Sequence, residues 1–172
     1  MAIEILRPNA AGDETSITSH YPYSGEHWDK VDEETPDDDS TYICTYSSSY
    51  QRDLYNLPSP TGSGTINSIT IYFRIYAAAG TGYGKPSQKS GATVTDGDEQ
   101  TQGNTWATKS QTYTTNPATG NPYTWDEIGA LQVGVSLKQT SGGTATRCTQ
   151  VYVEIDYTPV VAKPRSHGCI IG

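Results

Sequence analysis

Strict alternation of apolar and polar residues marks three long segments of the chain. From Ile66 to Ala77, Ile69, Ile71, Phe73 and Ile75 fall on one side and Thr70, Tyr72, Arg74 and Tyr76 on the other. Leu131, Val133, Val135 and Leu137 alternate with Gln132, Gly134, Ser136 and Lys138. Thr149, Val151, Val153, Ile155 and Tyr157 alternate with Gln150, Tyr152, Glu154 and Asp156. A period of two sends successive side chains to opposite faces of a strand, so each segment predicts a sheet with one dry and one wet face. Weaker strand patterns lie at Ala2 to Leu6, Thr41 to Ser47, Gln88 to Thr95 and Thr105 to Thr115. Stacking such sheets by their dry faces predicts an all-β, jelly-roll-like β-sandwich of about eight antiparallel strands. The three apolar rows contribute about 1.5–3 kcal/mol per buried side chain, enough to drive folding without a metal or a disulfide.

Between the strands, Arg7 to Ser40 reads as a polar loop, Asp53-Leu-Tyr-Asn-Leu-Pro58 as a turn, and Gly80-x-Gly82-x-Gly84 as a glycine loop. Thr124 followed three residues later by Glu127 predicts a capped short helix over Trp125–Ala130. A single sandwich domain over residues 1–158 is expected, with residues 1–40 supplying an N-terminal arm and an acidic loop, and residues 159–172 forming an extended tail tipped by Ile170 and Ile171.

Composition sharpens this picture. Thirteen tyrosines against one Phe and one Met, with a mean hydropathy of -0.60, suit half-buried pleated surfaces. The net charge of -8 is mostly local, because Asp29 to Asp39 holds seven carboxylates and a single lysine. A basic face for nucleic acid is therefore not expected. Cys44, Cys148 and Cys169 have no metal-binding spacing, and Cys44 with Cys148 reads as two free thiols in preference to a bridge. No segment has the apolar length of a signal peptide or a membrane span, so synthesis in a cytoplasm is expected.

Catalytic patterns fail on inspection. Gly84-Lys85 lacks the first glycine and the Ser/Thr of a phosphate loop. His20, His27 and His167 adjoin no nucleophile motif. The crowded acids before the Thr41 strand are too solvated for the paired carboxylates of glycoside hydrolysis, so no enzyme activity is expected. Asp37, Asp38 and Asp39 could offer hard oxygen ligands to calcium, although their spacing matches no calcium loop and turn capping is the simpler reading. Outward Tyr72, Arg74, Tyr76 and Tyr152 could form a flat platform for sugar rings, or pack against a neighbouring subunit.

Several segments together carry a family resemblance: Leu6-Arg-Pro-Asn9, Trp28 with Val31-Asp-Glu33, Asp37-Asp-Asp-Ser-Thr-Tyr-Ile43, Arg52-Asp-Leu-Tyr55, Gly64-Thr-Ile-Asn-Ser-Ile69, Tyr113-Thr-Thr-Asn-Pro-Ala-Thr-Gly120, Trp125-Asp-Glu-Ile-Gly-Ala-Leu131 and Thr149-Gln-Val-Tyr-Val-Glu154. In that order they resemble small virion-associated proteins of tailed phages and prophages. The resemblance implies a non-enzymatic jelly-roll-like protein displayed on a virion, such as a head decoration protein. Its partners would be its own subunits, as a homo-oligomer, or a major capsid or tail protein, with Tyr72, Arg74, Tyr76, Tyr152, Ile170 and Ile171 as the interaction face. The alternative expectation is a carbohydrate-binding module or adhesin that holds a glycan on the tyrosine face, with calcium at the acidic loop.

Overall fold

The computed structural model describes residues 1–140 and 144–160, and all structural statements concern these. Twelve strands and one short helix follow in order: β1 (Ala2–Leu6), β2 (Ala10–Thr15), β3 (Ser19–Tyr21), β4 (Tyr42–Thr45), β5 (Gln51–Asn56), β6 (Gly64–Ala77), β7 (Gly82–Ser90), β8 (Thr93–Asp96), β9 (Gln100–Gln102), β10 (Ala107–Tyr113), α1 (Trp125–Gly129), β11 (Gln132–Gln139) and β12 (Thr146–Pro159). They form two antiparallel sheets. The first runs β10-β6-β12-β4-β3, with β1 joining β12 beyond β4; the second runs β2-β5-β11-β7-β8, with β9 joining β7. The expected β-sandwich is the observed fold.

All three alternating rows meet in the core. Ile69, Ile71, Phe73 and Ile75 of β6, Val133, Val135 and Leu137 of β11, and Val151, Val153 and Ile155 of β12 are fully buried. Close packing of the two layers also explains glycines that read as a loop. Gly82 and Gly84 lie in β7, where a Cβ on Gly84 would come within 2.7 Å of the Phe73 ring. On α1 the capping box forms as expected: Glu127 N–H donates to Thr124 Oγ1 at 3.2 Å, and Thr124 N–H donates to Glu127 Oε2 at 2.8 Å.

Other segments depart from the expectation. Asp53-Leu-Tyr-Asn56, read as a turn, belongs to β5, a central strand. Its Asp53, Leu54 and Tyr55 are all buried, so neither face shows alternation. The Gln88–Thr95 segment is two strands, the end of β7 and β8, separated by a turn at Gly91, whose φ is +58°. The polar stretch after Arg7 contains β2, β3 and a 3-10 turn over Trp28–Lys30. In β12 a bulge between Cys148 and Gln150 breaks the alternation. Gln150 keeps its outward phase opposite Arg74, yet it is buried because the acidic segment covers it, and it donates to the carbonyls of Glu33 and Glu34. Pro159, assigned to the tail, closes β12 opposite Gly64. Ile170, Ile171 and Cys169 lie outside the described residues.

Candidate functional site: the outer face of the first sheet

The acidic run is an edge filler. Along β12, β4 pairs only with Thr146–Cys148 and β1 only with Val153–Tyr157. The chain around residues 31–41 occupies the gap between them. Val151 N–H donates to Val31 O at 2.7 Å, and Thr149 Oγ1 donates to Thr41 O at 2.8 Å. The three aspartates considered as calcium ligands do not converge. Asp37 accepts from Thr41 N–H at 3.3 Å and Thr149 Oγ1 at 3.1 Å. Asp38, in the left-handed region at φ 53°, takes the Arg74 guanidinium on both oxygens at 2.6 and 2.9 Å. Asp39 pairs with Arg147 at 3.1 Å. Among the described residues no group of three His, Cys, Asp or Glu side chains is placed to share an ion. Burial raises the Glu33 carboxyl above its ordinary range, as it does that of Asp32.

Strand register then sets the aromatics. Tyr72 of β6 lies opposite Tyr152 of β12, and their rings stack with centroids 4.6 Å apart and planes 6° from parallel. The Arg7 guanidinium covers Tyr152 at 4.9 Å. Tyr72 O–H donates to Glu154 at 3.0 Å, and burial together with that carboxylate pushes the phenol up to about 12, keeping it a donor at neutral pH. Tyr76 belongs to a separate stack. Trp106, just before β10, packs on it at 5.2 Å, and Arg147 of β12 lies 5.6 Å from its ring. Arg147 also sits 4.5 Å over Tyr42 of β4, which stacks at 5.5 Å on Tyr21 of β3. Tyr23, 82% exposed, meets Tyr21 edge-on.

These contacts join Trp106, Tyr76, Arg147, Tyr42 and Tyr21 into one row from the start of β10 to β3, spanning five of the six strands of the first sheet. At the usual strand spacing the row is about 19 Å long. The flat tyrosine platform expected from the sequence is corrected by this packing. Near-parallel rings at strand spacing turn their faces to one another, leaving edges and hydroxyls to the solvent. Sequence alternation found Tyr72, Arg74, Tyr76 and Tyr152, but divided between two stacks with the Arg74–Asp38 pair between them. It missed Trp106, Arg147, Tyr42 and Tyr21, whose convergence depends on which strands are neighbours.

No family model and no curated protein matches the chain. Solved structures do. A family 16 carbohydrate-binding module is 12% identical with a TM-score of 0.46, the match covering 83% of this chain and 89% of that one. A family 11 carbohydrate-binding module from Clostridium thermocellum, in complex with a β-1,3-1,4-mixed-linked tetrasaccharide, is 14% identical with a TM-score of 0.40 over 76% and 82%. The N-terminal cellulose-binding domain of a Cellulomonas fimi β-1,4-glucanase is 15% identical with a TM-score of 0.39 over 87% and 99%. The expectation of a virion structural protein is corrected by these findings, since the similar structures reported are carbohydrate-binding modules.

Proposed function

We propose that this chain is a non-catalytic glycan-binding module that uses the outer face of its first sheet. The observation that carries the reading is the continuous row Trp106–Tyr76–Arg147–Tyr42–Tyr21. Its side chains are pre-ordered by one another, so ligand binding costs little side-chain entropy. Arg147 within the row and Arg74 beside it are each matched by a carboxylate, Asp39 and Asp38 respectively. A matched guanidinium–carboxylate pair offers donors and acceptors together without a net charge. A sugar hydroxyl needs that combination, since each both donates and accepts, as does a tyrosine hydroxyl. The ligand class is thus an uncharged polyhydroxylated chain long enough to cross several strands.

Affinity electrophoresis through gels holding neutral soluble polysaccharides tests this. The wild-type chain is expected to be retarded by at least one of them. The Tyr76→Ala and Trp106→Ala variants should migrate freely while still unfolding in one cooperative transition only a few degrees below wild type. Equal mobility of wild type and variants in every gel would defeat the proposal.

A further inference from the structure

On the interior side of the same edge strand lies a cluster that the glycan face does not use. His20, at the centre of β3, pairs across the backbone with Ile43 of β4, a fully buried core residue. Its ring meets His27 edge-on, with centroids 4.6 Å apart. His27 Nδ1–H donates at 2.6 Å to Oδ2 of Asp53, which is 0% exposed and comes from β5 of the opposite sheet. Asp53 also accepts from Ile17 N–H at 2.9 Å, just before β3, and from Tyr55 O–H at 3.3 Å. One buried carboxylate of the second sheet thus ties down both ends of the segment carrying β3. Held to the sheet only by β4, that strand is three residues long.

His20 Nε2 is out of solvent and has no partner among the described residues. The charged and titratable groups around it are Glu26 and His27 on the loop and Asp29 and Lys30 on the 3-10 turn, with Asp53 and Tyr55 of β5 reached through His27. Cys148 of β12 adjoins Asp53 and Tyr55 from behind. Lys30 is itself buried and paired with Asp29 at 2.7 Å. A proton added to His20 Nε2, which is out of water, would put a cation near His27 and Lys30.

We propose that the His27–Asp53 bond latches the segment carrying β3 onto the sandwich at neutral pH and that protonation of the unpartnered His20 beside it releases β3 from β4 on acidification. Release would detach Tyr21, the β3 end of the aromatic row, together with Tyr23 just beyond it, so glycan affinity would fall with pH; this consequence rests on the glycan-binding reading, whereas the latch itself does not. Burial, followed by His27 and Lys30, holds the His20 imidazole below the usual histidine range. The docked state therefore favours neutral His20. The open state takes up the proton as pH falls below its ordinary value of about 6.5. Edge elements with few anchors are where local opening is cheapest.

Hydrogen–deuterium exchange on the full chain at about pH 7.5 and about pH 5, corrected for intrinsic rates, tests the latch across the histidine range. The expected result is several-fold faster exchange at Ile17–Tyr23 at the lower pH, with Ile69–Ile75 of β6 unchanged. In His20→Gln the difference between the two pH values should disappear. Unchanged protection of Ile17–Tyr23 in the wild type would overturn the latch, as would an undiminished pH effect in His20→Gln. Polysaccharide affinity measured at the same two pH values separates the two readings. Binding that is equal at both values while β3 opens would overturn the link to the glycan face. If no polysaccharide binds at either pH, the glycan reading falls and the exchange data alone decide the latch.

Discussion

The outer faces of the two sheets start from the same sequence pattern and end differently. On the first sheet the outward row is Trp106, Tyr76, Arg147, Tyr42 and Tyr21, half-buried by mutual stacking and open above. On the second sheet the outward residues Leu54, Gly134, Ser87 and Ser136 are buried beneath other parts of the same chain. A bulge in β2 between Ala11 and Thr15 carries the chain over them. A Cβ on Gly12 would strike the Leu54 carbonyl. Asp13 pairs with Lys89 and donates its N–H to Gln132, and Arg52 ties Glu14 to Asp96 at 2.9 Å each. Alternation alone does not make a binding face. What a ligand meets depends on whether the outward residues pair sideways along the sheet or are crossed by a strap, and here the β2 strap crosses the second sheet.

The largest effect should come where the two sheets are tied together. Asp53→Ala leaves the His27 and Ile17 donors without their buried acceptor, and about 3–5 kcal/mol of stability should be lost. A urea titration followed by tryptophan fluorescence reads it, and a loss under about 1 kcal/mol would mean the tie is weak. Removing Trp106 from the open face should cost only about 0.5–1.5 kcal/mol, the worth of an aromatic pair, yet should abolish polysaccharide binding. A far larger stability loss would make Trp106 a core residue and erase the contrast between the faces. Arg52→Gln, which cuts the strap on the closed face, should cost about 0.5–1 kcal/mol at low salt and less in high salt, because its pairs are partly exposed. Thermal melts at two ionic strengths check this, and a salt-independent loss would contradict an electrostatic strap. Smallest is the pH term from His20. Its docked-state value is depressed, so its stabilising effect is complete above the unfolded value of about 6.5 and declines as pH falls through it. Melting midpoints of wild type and His20→Gln should accordingly differ in their slope between about pH 7 and about pH 5.

Much of the fold was legible in the chain because β6, β11 and β12 each bury one face and wet the other, the case in which a period of two is visible. β5 was not legible: Tyr55 enters the core, Leu54 lies under the β2 bulge and Asp53 is held by His27, so all three are buried and polar letters mask a central strand. β7 was hidden by Gly82, Gly84 and Pro86, residues that usually punctuate loops, although here the two glycines allow close approach to Thr146 and Phe73. The candidate site divided in the same way. Tyr72, Arg74, Tyr76 and Tyr152 follow from alternation within single strands. Trp106, Arg147, Tyr42 and Tyr21 lie far apart in sequence and meet only because β10, β6, β12, β4 and β3 are neighbours in that order. Asp38 and Asp39, which looked like possible metal ligands, are instead the partners of the arginines on that face.

The contrast between the faces is tested most directly by isothermal titration of one neutral polysaccharide, selected by affinity electrophoresis, against three full-length chains. These are the wild type, the open-face double variant Tyr42→Ala/Trp106→Ala and the second-sheet double variant Tyr50→Ala/Tyr83→Ala, each first shown by its melting curve to be folded. The two rings removed in the second-sheet variant, one just before β5 and one on β7, each lie 4.5 Å from Lys138 Nζ of β11. Binding by the wild type and the second-sheet variant, with none by the open-face variant, is the predicted result. Undiminished binding by the open-face variant, or loss of binding only in the second-sheet variant, would contradict the assignment of the site.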